Sequence, residues 1–358
     1  MRIAQVAPLW EPVPPRGYGG IELVVALLTD GLVEQGHDVT LFASGDSHTK
    51  AKLETVVPNA LRLDPNGADV TVSEMMQTTH LLEIADQFDL IHCHTWIPPF
   101  PLVKYIKPPI VYTLHGNFTP QNEALYRQHK DLNLISISDS QRHPLTDLNY
   151  VATVYNGINT NHYSFYPESN TDEPYLAFLG RMSPQKGPHL AIEIARRSGW
   201  KLIMAGKVDK VDVDFFEKEV KPHIDGEQIV FLGEVNHTQK MDLMGNAAVT
   251  LFPITWQEPF GLVMVESMAT GTPVLGMNLG AVPEVIKNDV AGFVCDSVDE
   301  MLVKLPAALE LDRQVCRDYV VSRFGVKRMV DDYVKAYEKV WSVKASSNGH
   351  RHSAMVNA

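Results

Sequence analysis

The chain has 358 residues, more than one hydrophobic core usually organises, so two domains are the expectation. Its 31 Lys and Arg against 43 Asp and Glu give a formal net charge of −12. That balance argues against non-specific nucleic-acid binding, and ten Lys and Arg against seventeen Asp and Glu in the first 163 residues argue against a polybasic membrane-docking face there. Hydrophobic content of 45% is that of an ordinary globular protein. No apolar run reaches the roughly 18 residues of a membrane span. Cys93, Cys295 and Cys316 fall into no metal or disulfide spacing, so reduced thiols in a soluble, cytoplasmic chain are expected.

Short apolar runs alternate with amphipathic segments. Residues 2–8 read as a buried strand, 10–20 as a Pro- and Gly-rich loop, 21–35 as a helix closed by Gly36, and 38–43 as a second strand. Further strands are expected at 90–93, 110–114, 134–138 and 152–155. The composition turns polar over 165–174, where a linker is placed. The alternation then resumes, with strands at 175–179, 201–205, 229–232, 249–252, 273–276 and 292–295 and helices at 188–197, 214–224, 238–244 and 261–270. This is the pattern of βα repeats on parallel sheets, an α/β chain of two doubly wound halves, 1–165 and 172–327, facing across a cleft. The helix expected at 328–341 is assigned to neither half, with packing back on the first left open. The polar tail 342–358 is expected to be disordered.

Residues 252–283 carry the most chemistry. Pro259 disfavours helix at Glu258, and Gly261 opens an apolar helix stopped by Gly271 and Pro273. Free backbone N–H groups at Gly261 and Leu262 make a ready anion site. Glu258 stands at its mouth, and Glu266 interrupts the apolar helix one turn in, where a carboxylate is seldom buried without purpose.

Gly180-Arg181 and Lys186-Gly187 place two cations on a turn after a strand, suited to a diphosphate. Gly17-Tyr18-Gly19-Gly20 lets backbone approach a ligand but lacks the dinucleotide-fold glycine spacing. His115 ends the strand 110–114. His92 and His94 project to one face around Cys93, yet a zinc site needs further ligands that the sequence does not offer. Asp212 and Asp214 invite a metal, but capping of the helix 214–224 by Asp212 or Asp214 is explanation enough, and no metal is expected.

From residue 1 to about 341 the chain resembles the retaining glycosyltransferases of family 4, of GT-B architecture. The most specific match is Glu258-Pro259-Phe260-Gly261-Leu262-Val263-Met264-Val265-Glu266, the family's Glu-x7-Glu motif. Gly180-Arg181 with Lys186-Gly187, and Gly280-Ala281-Val282-Pro283-Glu284-Val285-Ile286, follow. The resemblance implies that Arg181 and Lys186 bind a nucleotide-sugar donor's diphosphate, helped by backbone at Gly19, Gly20, Phe260, Gly261 and Leu262. It implies that Glu266 holds the ribose, that Glu258 contacts the transferred sugar, and that His115 lies near the reacting carbon. It implies that neither metal nor other cofactor is needed.

The expected activity is transfer of a hexose with retention to a sugar or small-molecule hydroxyl, UDP-glucose being favoured as donor and GDP-mannose next. The departing phosphate oxygen would deprotonate the acceptor on the same face. A nucleophilic Glu258, as in retaining glycosidases, is the less favoured mechanism. A nucleotide-sugar epimerase, a phosphorylase and a non-catalytic binder are the alternatives. The acceptor is expected on loops 10–18 and 96–100, rich in aromatic residues and proline.

Overall fold

A computed structural model describes residues 1–17, 19–64, 69–95 and 100–356. The chain divides into two units, Met1–Gly157 with Val326–Ala358, and Ile158–Gly325. Each is built on a wholly parallel sheet.

In the first unit β1 (Arg2–Val6), β2 (Asp38–Phe42), β3 (Lys52–Glu54), β4 (Leu90–Cys93), β5 (Ile110–Leu114), β6 (Asn133–Ser136) and β7 (Tyr150–Thr153) lie in the order β3-β2-β1-β4-β5-β6-β7. Its central strands are covered on both faces and therefore read as continuous apolar runs rather than alternating ones. β3 escapes sequence reading because Lys52-Leu53-Glu54 is a half-exposed edge strand of three residues.

Helices α1 (Gly20–Glu34), α2 (Val70–Ile84) and α3 (Pro120–Gln128) belong to this unit. Asp69 caps α2, and Thr119 with Asn122 forms a capping box on α3. The last helix, α11 (Val326–Val356), also belongs here. Met329, Val330, Tyr333, Ala336, Tyr337 and Val340 recur at spacings of three and four and form its buried stripe. It runs on past residue 341, through the tail from which no structure was expected.

In the second unit β8 (Tyr175–Leu179), β9 (Lys201–Ala205), β10 (Ile229–Phe231), β11 (Val249–Phe252), β12 (Val274–Met277) and β13 (Gly292–Cys295) lie in the order β10-β9-β8-β11-β12-β13. The helices are α4 (Pro188–Ser198), α5 (Val213–Phe215), α6 (His237–Gly245), α7 (Leu262–Ala269), α8 (Val282–Val285), α9 (Val298–Leu309) and α10 (Arg313–Phe324). The expected helix 214–224 is broken. A π-helical turn, Phe216–Val220, and a 3-10 turn, Lys221–His223, follow α5, and Pro222 has no N–H with which to continue an α-helix.

The polar stretch 165–174 lies inside the second unit rather than at its border. Tyr166, Ser169 and Asn170 tie it down through hydrogen bonds to Asp242 and Asn246. Polar composition there reflects anchoring, not a free linker.

Both sheets reverse their strand order once, between β1 and β4 and between β8 and β11. Ligands of such sheets sit beyond the carboxyl ends of the strands at that point. In the second unit those ends lead to Gly180-Arg181 and to the segment 253–261. In the first they lead to Ala7 and His94, with His115 one strand over on β5.

Candidate active site

α7 begins at Gly261, whose φ of 84° and ψ of 67° are left-handed. A side chain there would be strained, and its Cβ would come within 2.6 Å of the Met264 side chain. Among the described residues no side chain caps α7, so its first N–H groups remain open to a ligand. At its other end Arg317 on α10 donates to the carbonyls of Ala269 and Tyr163, a cation against the negative end of the helix dipole.

Both motif carboxylates are buried, Glu258 at 6% exposure and Glu266 at 4%. Each is held in the same way. Oε2 of Glu258 accepts from Nζ of Lys186 at 2.5 Å and from the Trp256 indole N–H at 2.9 Å. Oε1 of Glu266 accepts from Nζ of Lys240 at 2.6 Å and from the Tyr163 hydroxyl at 2.8 Å. Each ammonium also lies over the aromatic ring of its co-donor, Lys186 at 5.0 Å from the Trp256 centroid and Lys240 at 5.6 Å from that of Tyr163. One oxygen of each carboxylate is thus saturated by a cation and an aromatic donor. The second oxygen has no partner among the described residues. A carboxylate held so presents a fixed, charged acceptor to a ligand hydroxyl.

The loop bearing Glu258 is fixed by the motif that begins at Gly280. Ala281 N–H donates to the Glu258 carbonyl at 2.8 Å, and Gly280 N–H donates to the Gln257 side chain at 2.8 Å. A Cβ on Gly280, at φ 61°, would lie 2.3 Å from the backbone N and O of Glu258, so only glycine permits this approach.

Lys186 therefore sits with Glu258 rather than standing alone, and Arg181 is paired as well. Its guanidinium lies 3.5 Å from Asp209 and 3.3 Å from Asp212, and it donates to Gln185 at 3.1 Å. Burial alone would raise the Asp209 pKa. The hydrogen bond from Lys207 and the charges of Lys207 and Arg181 outweigh it and leave the carboxyl below its ordinary value. Asp212 corrects an expectation: its side chain makes no capping bond and faces Arg181 instead. Phe260 is 2% exposed and packs edge-on against Phe324, so its ring belongs to the core.

Gly20, His115 and Gly19 lie on the first unit, the other candidates on the second. Gly19 is the N-cap of α1, and no side chain caps that helix among the described residues. Tyr18, residues 96–99 and the expected acceptor contacts on them lie outside the described residues. Among the described residues no group of three or more His, Cys, Asp or Glu is arranged to hold a metal ion. Among the same described residues no helix is long and apolar enough to cross a membrane.

Sequence reasoning passed over Trp256, Tyr163, Lys240 and Glu22. Trp256 stands two residues from Glu258, whereas Tyr163 and Lys240 donate to Glu266 from 103 and 26 residues away and carry no local signal. Glu22 did carry one, being a carboxylate inside an apolar helix. It is 5% exposed, in the first turn of α1 beside Gly19.

Burial raises the Glu22 pKa from 4.5 to about 7. Between those values the folded chain holds a proton that the unfolded chain has lost, so stability falls as pH rises through that window. Glu22→Gln removes this term. It is expected to stabilise the protein at pH 8 by up to about 3 kcal/mol and to change little near pH 4. Urea midpoints at the two pH values check it, and equal effects at both would refute it.

The model for glycosyl transferases group 1 matches residues 160–321, and that for glycosyltransferase family 4 matches residues 18–162. An uncharacterized glycosyltransferase of Methanocaldococcus jannaschii is 30% identical, with 82% of this chain and 84% of that protein covered. A phosphatidyl-myo-inositol mannosyltransferase of Mycolicibacterium smegmatis is 27% identical, with 95% and 94% covered. The fold matches that of an Anabaena protein solved in complex with UDP and glucose, at a TM-score of 0.74, 18% identity, and 95% and 100% coverage. With two Rossmann-like parallel-sheet units of the GT-B class and both family models matched in succession, the chain belongs to the family 4 glycosyltransferases.

Proposed function

We propose that this glycosyltransferase moves a hexose, with retention and without a metal ion, from a nucleoside diphosphate sugar to a sugar or small-molecule hydroxyl. The observation that carries the reading is the repeated arrangement on Glu258 and Glu266, each with one oxygen saturated and one left for a ligand hydroxyl. Lying before and within α7, they flank its open N–H groups, which suit a diphosphate.

In this reading Glu266 takes the ribose hydroxyls and Glu258 those of the transferred sugar. Arg181 and Lys186 take the diphosphate, with backbone N–H groups at Gly19, Gly20, Phe260, Gly261 and Leu262. His115 serves the reacting end of the sugar. The anomeric C–O bond to the diphosphate breaks as the acceptor oxygen bonds that carbon on the same face. The acceptor proton passes to the departing phosphate oxygen. Negative charge growing on the phosphate is met by Arg181, Lys186 and the positive end of α7.

UDP-glucose is the favoured donor, supported by the UDP and glucose that the Anabaena protein binds. GDP-mannose is the rival, supported by the mannosyltransferase relative. A panel of UDP- and GDP-sugars with small acceptors, read by nucleotide release and by NMR of the product, tests the whole. Expected are UDP release from UDP-glucose, an α-linked product and unchanged rates in EDTA. UDP at 100 times its Kd should also stabilise the fold by about 2.7 kcal/mol. A β-linked product ends the retaining reading, loss of activity in EDTA ends the metal-free one, and no thermal shift with any nucleoside diphosphate ends the donor assignment.

A further inference from the structure

Behind His115 the first unit contains a run of polar side chains in an otherwise apolar core. His115 Nε2 lies 2.9 Å from Nδ1 of His94. Nε2 of His94 lies 2.8 Å from Oε1 of Gln5, and Nε2 of Gln5 donates to the Tyr337 hydroxyl at 3.1 Å. That hydroxyl lies 2.7 Å from Nδ1 of His92, whose Nε2 lies 2.7 Å from Oγ1 of Thr113. Thr113 reaches the Tyr333 hydroxyl at 3.1 Å. Gln5, His92, Tyr333 and Tyr337 are fully buried and His94 nearly so, while His115 is half-buried. Burial drives the pKa of His92 and of His94 well below the ordinary value, so each ring is neutral and carries one proton.

A chain of single-proton rings has a direction. The Gln5 carbonyl oxygen can only accept, so His94 must donate from Nε2. His94 Nδ1 is then an acceptor, and His115 must donate to it from Nε2. On the other side the Gln5 amide donates to Tyr337, which leaves the Tyr337 proton for His92 Nδ1 and makes His92 donate from Nε2 to Thr113. Reversing one member alone would set two donors or two acceptors face to face in a buried place. Neutral His115 is thereby left with an unprotonated Nδ1, which has no partner among the described residues.

We propose that Gln5 and His94 are positioning residues that hold His115 as its Nε2–H tautomer, that Tyr337 sets the orientation of Gln5, and that His115 Nδ1 accepts a hydroxyl of the transferred sugar. The last step rests on the assignment of His115 to that sugar made above. The orienting carboxylate familiar from other histidine sites is replaced here by an amide, which fixes the tautomer without adding charge.

Long-range ¹H–¹⁵N correlation on histidine-labelled protein reads the tautomer directly, and steady-state kinetics read its use. The wild type should show His115 protonated at Nε2 alone. Gln5→Leu and Tyr337→Phe should each give a mixture of tautomers, with kcat down about 10-fold and KM within twofold. Gln5→Glu, which keeps the acceptor for His94, should restore the single tautomer and guards against a Leu variant that does not fold. Protonation of wild-type His115 at Nδ1, or tautomers unmoved in both variants, overturns the positioning role. Mixed tautomers with an unchanged kcat leave the relay standing and overturn the contact with sugar, while nucleotide release in the donor panel separately decides the transferase reading.

Discussion

Glu258→Gln is expected to lower kcat/KM by about 10²- to 10³-fold while the protein still folds. The change keeps the shape of the side chain but removes its charge. Lys186 then loses its counter-ion, and the oxygen aimed at the ligand loses most of its strength as an acceptor. Lys186 keeps 22% of its side chain exposed, so solvent screens part of the loss, and the stability cost should stay near 1–2 kcal/mol. A variant within threefold of wild type would remove Glu258 from the reaction. Glu258→Ala with added azide separates two roles for the same residue: a β-glycosyl azide means a nucleophile, and its absence fits same-face transfer.

The second large effect is acid lability. His92, His94 and His115 all have pKa values depressed by burial, His115 to about 3 from an ordinary 6.5. Below pH 6.5 the unfolded chain takes up three protons that the folded chain refuses, so stability falls as pH falls. Each refused proton costs up to about 1.4 kcal/mol per pH unit. Glu22 works the other way and takes back one of the three between pH 7 and 4.5. The three histidines outnumber it, so on balance stability falls as the pH drops. Against a typical domain stability of about 5–15 kcal/mol, the first unit should lose its fold within a few units below neutrality. Urea denaturation at pH 7, 6 and 5 checks this, and a flat profile would show that the histidines are hydrated or charged in the native state.

What was legible in the sequence, and what was not, follows the range of the forces. Buried parallel strands announce themselves as apolar runs, and those of the second unit fall within a residue or so of where the pattern put them. Glu266 was legible because a carboxylate amid Leu262–Ala269 is out of keeping with its neighbours. The partners of that carboxylate were not, since Tyr163 and Lys240 are 103 and 26 residues away and look ordinary where they stand. The pairing of Arg181 with Asp212 was hidden for the same reason: Asp212 stands at the N-cap of α5 but makes no side-chain capping bond there, while Asp214 lies in the first turn. Glu22 was readable by the rule that found Glu266. His92 and His94 were read as sharing a face, and their centroids lie 4.0 Å apart, but Gln5 and Tyr337, which give that face its meaning, enter from 87 residues before His92 and 245 after it.

The membership of α11 in the first unit has a consequence for biosynthesis. Residues 1–157 leave the ribosome before the second unit does, yet the hydroxyls that bond Gln5, His92 and Thr113 come from Tyr333 and Tyr337, which follow that whole unit in the chain. Until those residues emerge, the Gln5 amide and Nδ1 of His92 lack their tyrosine partner, and α1 lacks the helix that packs on it. The second unit, contiguous in sequence, has no such wait. The first unit can therefore complete its core only after the second has been translated, and a stop before Tyr333 would leave that core without two of its hydroxyls although all its strands had been made.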